Sequence, residues 1–280
     1  MSGDVCHEGS WTEPSTRRRY YYRWWRPEAV RTLLVVLHGF GEHGGRYEAF
    51  AQRLTQEGIW VVVPDLWGHG RSGGRRGDLG DVALCVRHLQ ALTEQVVLPA
   101  AGQTRYALFG HSFGGLAAIW WALERPEPLR RLVVESPLLE AGFPIPWWSS
   151  AAAAVLATAW PTFEFSMRLD ADALSRDRAI VDAYRNDPLV HASLSARTYR
   201  SMLRTRDAVM ARAGSLRVPV LMLCGTSDRI VSVEAARRWF QRVACPKQDV
   251  VCSAAYHEIH HESVWSEASR QLCAWVLADA

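Results

Sequence analysis

Along the chain, short unbroken apolar runs alternate with longer stretches in which apolar positions recur at helical spacing. The runs cover residues 32–37, 60–63, 105–109, 132–135, 219–224 and 248–252. Helical spacing covers 47–56, 82–98, 113–124, 233–243 and 264–277. Runs rich in β-branched residues with no polar alternation suit strands buried on both faces. Helices between them point to a mostly parallel sheet covered on both sides. Residues 19–25 add an early strand, expected at an antiparallel edge.

One stretch breaks this rhythm. From 137 to about 191 no strand pattern appears, and Trp, Phe, Pro and Ala are abundant. It follows a strand end, where α/β sheets place their ligands. A helical cap is expected there, opened by Ser136-Pro137 and closed by Asn186-Asp187-Pro188. The chain thus divides into a first part of the core (1–136), a cap (137–191) and a second part of the core (192–280).

At 110–114 the strand pattern runs into a helix pattern through Gly-His-Ser-Phe-Gly, a G-x-S-x-G turn. A serine hydroxyl is a weak nucleophile and needs a position clear of the backbone where a base can take its proton. A sharp strand-to-helix turn supplies that position, and glycines relieve the crowding it creates. Ser112 is therefore the candidate nucleophile. In such folds an acid and then a histidine follow in chain order. Asp228 lies in the loop after the run 219–224, and His257 lies just after the run 248–252. Asp228 would hold the imidazole of His257 in the tautomer that accepts the serine proton. Two backbone amides would receive the developing oxyanion, those of Phe113 and of Phe40 in the loop after residues 32–37. His38 reads as a structural histidine bonded to local backbone, and Asp65 as part of a turn.

Composition narrows the partners. The chain has 280 residues, 49% hydrophobic and 22% charged, with a net charge of +3. This is an ordinary globular balance with no footprint for nucleic acid. No signal peptide is apparent, and the apolar stretch 147–160 is shorter than the roughly 20 residues that span a bilayer. The six cysteines show no paired spacing and are read as reduced, in a cytoplasmic protein. Two patterns are set aside. His257-Glu258-Ile259-His260-His261 matches H-E-x-x-H, but its first histidine follows a strand and not a helical turn, so no metal and no cofactor is expected. Arg17-Arg18-Arg19 with the aromatics after it reads as a hairpin edge.

With these residues placed, the chain resembles an α/β-hydrolase of the monoacylglycerol lipase and lysophospholipase family over about residues 19–277. The resemblance rests on His38-Gly39-Phe40-Gly41-Glu42-His43 with Gly45-Arg46-Tyr47, and on Asp65-Leu66-Trp67-Gly68-His69-Gly70-Arg71-Ser72. It rests equally on Gly110 to Gly115, Ser136-Pro137, Asn186-Asp187-Pro188-Leu189, Gly225-Thr226-Ser227-Asp228 and Ala255-Tyr256-His257. It implies an α/β-hydrolase fold with a helical cap inserted after the sixth strand. It also implies Ser112, Asp228 and His257 as the triad, and Phe40 and Phe113 as oxyanion donors. The family often has Met after the nucleophile, where this chain has Phe113. The expected activity is hydrolysis of carboxylic esters of short to medium acyl chains through an acyl-enzyme. Phe143, Ile145, Trp147, Trp148, Val155, Leu156 and Trp160 of the cap are expected to line or gate an acyl tunnel. Lysophospholipid hydrolysis, acyl transfer, an aminopeptidase-like amidase and a silent lipid-binding module stand as alternatives.

Overall fold

The computed structural model describes residues 6–142 and 155–278. Eight strands form the central sheet: β1 (His7–Thr12), β2 (Arg19–Trp25), β3 (Thr32–Leu37), β4 (Ile59–Pro64), β5 (Tyr106–His111), β6 (Leu129–Glu135), β9 (Val220–Gly225) and β10 (Lys247–Cys252). The short strands β7 (Glu164–Ser166) and β8 (Ser193–Ser195) form a separate antiparallel pair. The sheet order is β1-β2-β4-β3-β5-β6-β9-β10, parallel from β4 to β10, with β1 and β2 antiparallel.

Every residue of β3, β4 and β5 is buried, as unbroken apolar runs require. Successive side chains leave opposite faces. Leu33, Val35 and Leu37 therefore meet the helices Val82–Leu92 and Phe113–Glu124 on one face. Leu34 and Val36 meet Glu48–Thr55 and Trp265–Leu277 on the other. From β3 the chain first goes outward to β4, then returns past β3 to β5. That reversal makes the carboxyl ends of β3 and β5 the crevice of the sheet.

Four expectations need correction. The stretch 137–191 contains a strand, β7, whose three residues are too few to show alternation. The helix Ala196–Ala211 had no counterpart in the expected elements. Its arginines and threonines dilute the apolar periodicity, although Ser195 caps it by accepting from Thr198 N. β2 is antiparallel but is not the edge, because β1, with its largely exposed pattern, pairs along its full length. The helix expected over 82–98 is α-helical only to Leu92 and passes through a wider turn at Thr93–Val97 before Leu98–Ala101.

Candidate active site

β5 ends at His111, and the helix Phe113–Glu124 begins one residue later. Ser112 between them has φ 54° and ψ −116°, a conformation that side-chain-bearing residues seldom adopt. Such backbone is held only when its surroundings over-determine it, at about 1–3 kcal/mol. Here Ser112 N donates to Glu135 O at 2.9 Å, and Ser112 O accepts from Leu138 N at 2.9 Å. A Cβ on Gly110 would lie 2.2 Å from Gly114 O, and one on Gly114 would lie 2.1 Å from Leu37 O. Glycine at both positions lets the new helix press against the end of β3.

The same contact brings the loop after β3 to the elbow. Phe40 packs edge-on to Phe113 with centroids 5.8 Å apart, and Gly41 O accepts from His191 N at 2.9 Å. Phe113 is the first helical residue, where amides have no intrahelical acceptor. His38 is structural, as expected. Its Nδ1 donates to Gly39 O at 2.7 Å, and its Nε2 accepts from Leu66 N at 3.0 Å. Asp65 is also structural, accepting from Gly44 N and Arg71 N at 2.7 Å each.

Asp228 and His257 come from the loops after β9 and β10. Those loops are joined by bonds of 3.0 Å from Thr226 N to Cys252 O and from Ser227 N to Ala255 O. His257 Nδ1 lies 2.7 Å from Asp228 Oδ2, both side chains being buried. The other oxygen, Asp228 Oδ1, accepts from Ile230 N at 2.8 Å and Val231 N at 3.1 Å. Burial alone would raise this carboxyl, but the His257 imidazole and the two amides hold it below its ordinary value. Asp228 therefore stays ionised and holds Nδ1 of His257 as the donor of their bond, with Nε2 on the other side of the ring. The imidazole packs 4.7 Å from the ring of His111, next to the serine, and His257 O accepts from Ser136 Oγ at 2.9 Å.

Ser112 forms part of the wall of a mostly apolar cavity. The rest of the described wall is Phe40, Leu116, Leu138, Ala141, Met167, Leu169, Tyr199, Met202, Leu203 and Ile230, with Glu140 and Arg206. Of the expected tunnel residues, Phe143, Ile145, Trp147 and Trp148 lie outside the described residues. Leu156 and Trp160 do not reach the described wall. Trp160 is 60% exposed and rests edge-on against Phe163 at 5.4 Å. Among the described residues the wall also draws on Met167 and Leu169 and on the helix Ala196–Ala211.

The sequence reading also missed a buried charge network, although it had singled out the motif carrying it. Arg46 donates to Glu42 Oε2 at 2.5 Å and to both Glu258 oxygens at 2.6 and 2.8 Å. Glu42 Oε1 accepts from Gly39 N and Tyr47 Oη, which steadies the loop carrying Phe40. His261 Nδ1 is 2.8 Å from Glu258. The H-E-x-x-H residues are thus occupied: His257 with Asp228, and Glu258 and His261 with each other. Among the described residues, the cluster with metal-ligand character is His111, Glu135 and His260, all buried.

The family described as serine aminopeptidase, S33 matches residues 28–264. The monoacylglycerol lipase of Mycolicibacterium smegmatis is 32% identical over 265 residues, 93% of each chain. The monoglyceride lipase of Rattus norvegicus is 32% identical over 91% of this chain and 86% of its own. The crystal structure of Paleococcus ferrophilus monoacylglycerol lipase superposes with a TM-score of 0.86 at 32% identity, over 93% of this chain and 99% of that one. The elbow, the mostly parallel sheet and these likenesses lead to one assignment: the chain belongs to the α/β-hydrolases of the monoacylglycerol lipase family and is a carboxylic ester hydrolase.

Proposed function

We propose that this enzyme releases the acid from monoacylglycerols and similar small esters through an acyl-enzyme on Ser112. His257 Nε2 takes the serine proton as Oγ attacks the carbonyl carbon. The amides of Phe40 and Phe113 receive the oxyanion, each such donor contributing about 10²–10³ in rate. Collapse breaks the ester C–O bond, and His257 returns its proton to the leaving alcohol. Water, deprotonated by the same imidazole, then frees Ser112 and the acid. Asp228 stabilises the imidazolium formed in each half. The cavity beside Ser112 takes the acyl chain, with Leu116, Met202, Leu203 and Tyr199 as its walls.

The residues between β6 and β9 act as the cap in this reading. They carry the exposed Val155 and Trp160, which suit contact with a lipid surface. Among the described residues no helix is long and apolar enough to cross a membrane.

The observation that carries the proposal is the 2.7 Å bond between His257 and Asp228 beside a serine held at positive φ against an apolar cavity. Ser112→Ala tests it, assayed on monoacylglycerols of graded chain length. Turnover should vanish while the melting temperature stays within a few degrees. Turnover retained by that variant overturns the assignment.

A further inference from the structure

The segment after the helix Arg178–Asn186 returns to the loop that follows β3 and grips it at two points. At the first, His43 Nε2 lies 2.8 Å from Asp187 Oδ2. Geometry fixes the tautomer. His43 Nδ1 accepts from Gly45 N at 3.1 Å, so the ring proton sits on Nε2 and is donated to the carboxylate. Asp187 Oδ1 accepts from Leu189 N at 2.8 Å, which holds the carboxylate from its other side. At the second point, His191 N donates to Gly41 O at 2.9 Å. Gly41 has φ 82°, and a Cβ there would lie 2.5 Å from His191 O, so the two backbones are in direct contact. The His191 ring stands edge-on to Phe40 at 5.9 Å.

The bonds of Glu42 to Gly39 and Tyr47 fold this loop on itself. The bond of His43 to Asp187 instead ties it to the segment between β6 and β9, 144 residues further along the chain. That segment also holds the wall of the cavity, since Met167 N donates to Ala192 O at 2.7 Å. An amide stabilises an oxyanion only when it is aimed at it, and a misplacement of about 1 Å can cost about 10²-fold in rate. Phe40 directly precedes Gly41, so both grips act on the stretch of backbone that aims its amide.

We infer that Asp187 is a positioning residue: by holding His43 it keeps the loop after β3 where the Phe40 amide faces the oxyanion formed at Ser112. Asp187 is not part of the described wall of the cavity beside Ser112, so its effect passes through His43 and the backbone. Its side chain is 23% exposed and can be shortened without leaving a void sealed from water. The inference rests on the triad and oxyanion reading above and adds the side chain that steadies one donor.

The test compares the wild type with Asp187→Ala, His43→Ala and the double variant on p-nitrophenyl acetate. In Asp187→Ala, kcat/KM should fall about tenfold to a hundredfold. KM should stay within about threefold, because the oxyanion forms only in the transition state. Affinity for a trifluoromethyl ketone should fall by the same factor as kcat/KM. Ser112 Oγ adds to the ketone's carbonyl carbon, the serine proton passes to His257, and the oxyanion of the adduct meets the same amides. The double variant should lose no more than the worse single variant, as the two ends of one bond do. Unchanged kcat/KM in Asp187→Ala, a loss carried by KM, unchanged ketone affinity or additive losses in the double variant overturns the inference. A wild-type protein that the ketone does not inhibit, or turnover retained in Ser112→Ala, overturns the triad reading instead.

Discussion

Arg46 grips Glu258 through paired hydrogen bonds of 2.6 and 2.8 Å, joining the segment just after the Phe40 loop to the residue just after His257. The same guanidinium bonds Glu42 and lies 4.9 Å above the ring of Tyr184, in the helix Arg178–Asn186. One side chain thus connects the loop after β3, the loop after β10 and the segment between β6 and β9.

Removing that cation leaves two buried carboxylates facing each other. Arg46→Met should destabilise the fold by about 3–5 kcal/mol, the usual cost of breaking a buried pair from one side. Urea denaturation of the two proteins measures it. A loss under about 1 kcal/mol would mean that the network contributes little.

Gly114→Ala should be similarly damaging for a steric reason. Its Cβ would sit 2.1 Å from Leu37 O and 2.6 Å from His38 O, backbone atoms that cannot swing aside. The helix must back away from β3, at about 3 kcal/mol or more. Calorimetry of the variant should show a clear drop in melting temperature, and an unchanged value would contradict this packing.

These two sites also show what a sequence can and cannot reveal. The elbow was legible because its glycines are demanded by local backbone geometry, which has a fixed spacing. Asp228 and His257 were legible because chain order and strand ends confined the candidates. The grip of Arg46 on Glu258 spans 212 residues, and no periodicity encodes such a pairing. Trp160 stands apart from the described cavity wall for a related reason. A tryptophan such as Trp160 is as apolar on a surface as in a cavity, and only packing distinguishes the two. The helix Ala196–Ala211 escaped because its buried face includes Thr198, Ser201 and Thr205, polar residues that blur the apolar stripe.

Met202 in the cavity wall offers a handle on chain length. Met202→Trp fills space where the acyl chain would extend. Its kcat/KM should fall about tenfold or more for long-chain esters and change little for acetyl esters. Equal losses for both would place the chain elsewhere.

The pH dependence of stability follows from His191, which packs against Phe40 and His69. Burial, aided by Arg76, lowers its proton affinity from the ordinary 6.5 to about 4. The folded form thus favours the neutral ring, and its contribution is complete above about pH 6.5. As pH falls from there towards 4, the unfolded chain takes up the proton first and stability drains away. Melting temperature should decline over that window, and His191→Gln should decline less steeply. Parallel curves would remove His191 as a cause.

The proposed triad is tested most directly by the site and pH dependence of covalent capture. A fluorophosphonate should add one adduct to the wild-type protein, mapped by peptide mass spectrometry to Ser112. In Asp228→Asn, which disturbs the imidazole tautomer, labelling should slow by about 10³–10⁴ with the fold preserved. An adduct on another residue, or labelling of Asp228→Asn at the wild-type rate, would contradict the account.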